Sequence, residues 1–129
     1  MQNHTIKKFI FSIGGFPGPS YSIEYKNGIF AYRAEPKYND DLLLHNDSTS
    51  ADLEISAKRV DRFYNYIRRY CKHWKKKYSI GPVCDGTYWE CDIKIDDFSL
   101  RSSGHVAYPG NFDTFLHKLT ILTNGKIFE

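Results

Sequence analysis

Cys71, His73, Cys84, Cys91, His105 and His117 are of types that ligate metal ions. Their spacing does not support a site. Cys71 and His73 stand two apart in a helical pattern, about 200° around the axis at roughly 100° per residue. Cys84 and Cys91 lack the close pairing of zinc ribbons and fingers. A nucleophile could be drawn from Cys84 or Ser103, with His105 as base and Asp85 to orient it, but no nucleophile elbow surrounds either residue. Glu90, Asp92 and Asp96 form an acidic row whose near members would be neighbours on a strand face, a geometry some hydrolases use. Lys94 lies among them, and a solvated sheet face accounts for them as well. Gly14-Gly15-Phe16-Pro17-Gly18-Pro19 has the glycines of a phosphate loop, yet no helix follows to supply a dipole, so the run reads as a wide turn. No catalytic residue, metal or cofactor is assigned on these grounds.

The stretch from Ala51 to Tyr78 carries more. Ser56, Val60, Phe63, Ile67, Tyr70, Trp74 and Tyr78 recur at steps of three or four, which predicts one stripe of a long amphipathic helix. Lys58, Arg62, Asn65, Arg69, Lys72 and Lys76 recur at the same spacing on the opposite side. Ser50 or Thr49 is placed to cap the first turn, Asp52 and Glu54 to meet the positive end of the helix dipole, and Lys75, Lys76 and Lys77 the negative end. Gly81 and Pro82 are the expected stop.

The remaining elements follow in order. Ile6 to Ile13 alternates, with Phe9, Phe11 and Ile13 on one side, as a half-buried strand does. Tyr21 to Lys26 and Ile29 to Ala34 flank Asn27-Gly28, a type I′ hairpin signal that sets Tyr25 opposite Phe30, Ile23 opposite Tyr32 and Tyr21 opposite Ala34. Glu35 to Ser50 reads as a polar connection with one apolar anchor at Leu42-Leu43-Leu44. Asp85 to Tyr88 turns into a strand with Trp89, Cys91, Ile93 and Ile95 inward and Tyr88, Glu90, Asp92, Lys94 and Asp96 outward. Asp96-Asp97 makes a turn, and Phe98 to Val106 returns. Tyr108-Pro109-Gly110 ends that strand, Asn111 caps a second helix with Phe112, Phe115, Leu116, Leu119 and Leu122 on its apolar stripe, and Asn124-Gly125 closes it. The expected fold is α+β: a five-stranded antiparallel sheet with one long and one short amphipathic helix on one face, in the order βββ-α-ββ-α, as a single domain over residues 1–129.

Composition narrows the function. At 129 residues one core suffices, and with ten Tyr and nine Phe much of it must be ring packing. No run of about 18 apolar residues occurs, which predicts no membrane span, and Met1 to Phe16 lacks the apolar stretch of a signal peptide. Three cysteines suit free thiols better than a disulfide framework, so the default compartment is the cytoplasm. Lys58 to Lys77 holds nine Lys or Arg against one Asp, a net +8 that leaves −5 for the rest of a chain of net charge +3. The basicity belongs to the helix.

Asp85-Gly86-x-x-Trp89 and Ser103-Gly104-x-x-Ala107-Tyr108-Pro109-x-Asn111-Phe112 resemble the C-terminal half of a group of small bacterial proteins with no established activity. The resemblance implies a Trp-bearing hairpin, a Tyr-Pro turn and a short apolar helix. It makes an immunity or inhibitor role conceivable. The motif residues also have structural explanations as turn glycines, a strand stop, a cap and core rings.

The expected function is a non-catalytic protein–protein interaction module. Its candidate interaction residues are Lys58, Arg62, Tyr66, Arg69, Lys72 and Lys76, supported by the apparent exposure of Tyr64, Tyr66 and Tyr88. Nucleic-acid binding by the same basic face is the alternative, against which the −5 remainder would repel phosphates. A small hydrolase or ligand-binding protein is the second alternative.

Overall fold

Asn27 and Gly28 both take positive φ, 53° and 86°, and the strands they join pair in the register expected, Tyr25 with Phe30, Ile23 with Tyr32 and Tyr21 with Ala34. The computed structural model describes residues 3–15, 18–35, 48–81 and 86–129. Its strands are β1 (Ile6–Gly14), β2 (Ser20–Lys26), β3 (Ile29–Glu35), β4 (Thr49–Leu53), β5 (Lys77–Ser79), β6 (Tyr88–Ile95) and β7 (Phe98–His105). Helix α1 (Ala57–Tyr70) lies between β4 and β5, and α2 (Phe112–Leu122) follows β7. The expected anchor at Leu42 to Leu44 lies outside the described residues.

The architecture is α+β, with seven strands in the order β4-β3-β2-β1-β6-β7-β5 rather than five. All pairs are antiparallel except β5 with β7. Ile13 is opposite both Tyr21 and Trp89, and Phe11 opposite both Ile23 and Cys91, so strict alternation on each strand lines up as apolar rows across the sheet. Both helices cover that one face. Phe9 of β1 meets Phe63 of α1 at 5.6 Å between ring centroids, while Phe11 meets Phe115 of α2 at 5.4 Å. The chain after α2 completes the cover: Phe128 stands edge-on to Tyr32, whose hydroxyl donates to the Ile127 carbonyl at 2.6 Å. No helix among the described residues is long and apolar enough to cross a membrane.

The predicted helix over 51–78 is too long at both ends. At its start, Thr49–Leu53 joins the sheet, with Leu53 opposite Phe30 and Ala51 opposite Tyr32. Ala51, Leu53 and Ile55 alternate, a period of two that fits the open edge of β3. The true cap is Ser56, whose Oγ accepts from the Arg59 N–H at 3.2 Å, and the first turn holds no acidic residue. At its end, the Cys71 N–H closes on Ile67 and the chain turns, so that Arg68 and Arg69, not Lys75 to Lys77, occupy the last helical turn. Trp74 and Tyr78 keep the spacing of a stripe and do pack on the core. They reach it from a turn and from β5, where the Tyr78 hydroxyl accepts from the Lys75 N–H. Aromatic spacing alone does not distinguish those routes.

Candidate interaction face

Helix α1 presents four sides, fixed by its 3.6-residue period. Val60, Phe63 and Ile67 enter the core. Arg59 and Tyr66 turn toward α2: the Arg59 guanidinium donates to the Ile121 carbonyl at 2.6 Å and to Asn124 Oδ1 at 3.2 Å, covering the C-terminal end of that helix. Asp61, Tyr64 and Arg68 turn the other way, where Asp61 meets His4 and the Tyr64 ring meets Phe98 at 6.3 Å. Lys58, Arg62, Asn65 and Arg69 fall on the remaining side, and all are exposed.

Of the predicted interaction residues, Lys58, Arg62 and Arg69 therefore share one helical face. Lys72 and Lys76 are exposed but lie beyond the helix, in the turn that leads to β5. Among the described residues none of these five cations forms an ion pair. Tyr66 is not a protruding anchor. Its hydroxyl accepts from Asn111 Nδ2 at 3.1 Å, and Lys118 Nζ sits 5.5 Å above its ring. Burial and the hydroxyl's surroundings raise its pKa, with the Asn111 bond acting in the opposite sense. Tyr64, expected to be exposed, is buried. Tyr88 is exposed as expected, and stacks on His105 at 3.8 Å on the uncovered face of the sheet.

Asn111 stands at the N-cap position of α2, as expected, but its side chain makes no capping bond. Instead it ties the end of α1 to α2, accepting from Trp74 Nε1 at 2.8 Å and donating to Tyr66 Oη and to the Tyr70 carbonyl, both at 3.1 Å. The residues that carry the resemblance have comparable structural work. Trp89 Nε1 donates to the Ala107 carbonyl at 2.9 Å. A Cβ at position 104 would lie 2.2 Å from that nitrogen, so only glycine lets the indole rest on β7.

Among the described residues, those singled out for metal or nucleophile chemistry do not gather into one cluster. Cys84 and Asp85 lie outside the described residues. Cys71 and Cys91 are buried, and burial pushes the Cys71 thiol up to about 12 and the Cys91 thiol well above its ordinary value, which suppresses thiolate chemistry. The acidic row is divided: Asp92 pairs with Lys8 at 2.9 Å, whereas Asp96 has positive φ and turns toward the N-terminal segment. Among the described residues no group of three His, Cys, Asp or Glu is placed to hold a metal ion.

Sequence reasoning missed His4. Its ring is only 4% exposed, with Nδ1 at 2.6 Å from Asp96 and Nε2 at 2.6 Å from Asp61, and it lies against Tyr64. The Asp96 hydrogen bond, followed by Asp61 and both charges, raises the His4 pKa despite burial. The same His4 bond and the Thr5 N–H hold Asp96 below its usual range. No local pattern around position 4 signals partners this far along the chain.

Compared with known protein families, with curated proteins and with solved structures, the chain matches none.

Proposed function

We propose that this protein is a non-catalytic interaction module that binds an acidic surface of another protein through the outer side of α1 and the turn that follows it. The observation that carries this reading is the set of exposed cations at Lys58, Arg62, Arg69, Lys72 and Lys76, none paired with a carboxylate among the described residues. A single-signed field of this kind accelerates association with an oppositely charged partner and weakens as salt is added. An inhibitor or immunity role is one form such a module takes, and a cytoplasmic setting suits it.

The test compares wild type with the charge reversal of Arg62, Arg69 and Lys76 in affinity capture at low and raised salt, with and without nuclease. A discrete protein that survives nuclease and is lost by the reversed variant supports the reading. Capture that vanishes with nuclease would instead assign the face to nucleic acid, and equal capture by both proteins would sink the proposal.

A further inference from the structure

Between α1 and α2 lies a cleft of about 500 Å³ whose charged lining is entirely basic: Lys58, Arg59, Arg62 and Lys118. Phe63 and Leu122 give it an apolar floor, and Ile121 stands at its rim. Other clefts on the described surface differ in kind. The one beside Tyr88 and His105 sets Glu90 against Lys77, its neighbour sets Glu35 against Arg33, and the one under Tyr108 carries only Asp113 and Glu129 as charges. Lys58 and Arg59 occupy the first turn of α1, which holds no acidic residue, so the positive end of the helix dipole adds to the basic field there.

Two of the cations are already positioned. Arg59 is held by its bonds to Ile121 and Asn124, and Lys118 by the Tyr66 ring. Fixing them beforehand reduces the ordering cost when an anion arrives. Ile121 is 43% exposed at the mouth, so an occupant must bring apolar surface together with negative charge. A sugar-phosphate backbone does not offer that combination, and the nearby Tyr66 ring is covered by Lys118 rather than open to a base.

The geometry points to this cleft as the specific docking point for an acidic and apolar segment of a protein partner, which sets a carboxylate among Arg59, Arg62 and Lys118 and an apolar side chain on Ile121. This rests on the reading of the α1 face given above and locates it.

The test uses the full chain and three labelled probes followed by fluorescence anisotropy: an amphipathic helical peptide of Glu and Leu, poly-Glu of equal charge, and a single-stranded oligo-dT. Two double variants are compared, Arg62→Glu with Lys118→Glu in the cleft and Arg69→Glu with Lys72→Glu outside it, each checked for an unchanged unfolding midpoint. The Glu/Leu peptide is expected to bind more tightly than poly-Glu, and the cleft pair to weaken it by about tenfold more than the outer pair. Equal losses from both pairs, or poly-Glu binding as tightly as the peptide, would overturn the cleft while leaving the basic face as a general acidic-partner surface. Preference for oligo-dT would overturn both readings, and failure of every probe would overturn the cleft, leaving the face to the capture experiment.

Discussion

The inner and outer sides of α1 are built on opposite terms. Inside, Val60, Phe63 and Ile67 are buried, and among the described residues no buried side-chain nitrogen or oxygen lacks a hydrogen-bond partner. Outside, Lys58, Arg62 and Arg69 are exposed, and among the described residues no carboxylate pairs with them. Burial of apolar surface stabilises at about 25 cal/mol per Å², whereas exposed charges contribute little. On the proposed function, stability and interaction are separable within one helix, and substitutions on its two sides test that separation.

The largest effect is expected at Trp89, which packs on Trp74, Tyr78 and Phe112 and is almost wholly buried. Trp89→Ala should cost about 3–5 kcal/mol in denaturant unfolding; a small loss would mean the aromatic junction is not the core. Asn111→Ala comes next. It leaves the Trp74 indole N–H and the Tyr70 carbonyl without their partner and should cost about 1–3 kcal/mol, together with a shift in tryptophan fluorescence. Asn111→Asp tests which half matters, since it keeps the acceptor and loses the donor.

Ser56→Ala should cost about 1 kcal/mol by removing the cap of α1. Ser50→Ala should cost less, because Ser50 pairs with Arg33 in the sheet rather than opening the helix.

The His4 clamp gives a dependence on pH rather than a fixed value. Its folded pKa lies above 6.5, so its stabilisation is complete below pH 6.5 and disappears as pH rises through that raised value. The Asp96 pKa lies below 3.8, so its stabilisation is present above pH 3.8 and disappears as pH falls through the lowered value. The stability difference between wild type and His4→Gln should be greatest between these limits, near pH 5, and shrink toward pH 9. A difference that grows with pH would contradict the charged clamp.

Most strands were legible because alternation was strict and two turns were marked: Asn27-Gly28 set the register of β2 and β3, and Asp96-Asp97 joined β6 to β7. The ends of α1 were not. Ser56 reads equally as a stripe member or a cap, and only the open edge of β3 decides that Thr49 to Leu53 is a strand. β5 is three residues long and parallel, below what periodicity can reveal. The basic face was legible as spacing over Lys58, Arg62 and Arg69, but Lys72 and Lys76 were assigned to a helix that ends before them. Neither His4 nor the Asn111 junction left a local signal, since each acts on residues distant in sequence.

The proposed function requires that the outer cations of α1 serve a partner and not the fold. The most direct measurement takes wild type and the Arg62→Glu, Arg69→Glu, Lys76→Glu variant side by side, recording denaturant unfolding and capture of the same protein partner at low salt. The expected result is an unfolding free energy within about 1.5 kcal/mol of wild type, the limit for three surface substitutions of roughly 0.5 kcal/mol each, together with lost capture. A variant that unfolds easily, or one that captures the partner as well as wild type does, would contradict it.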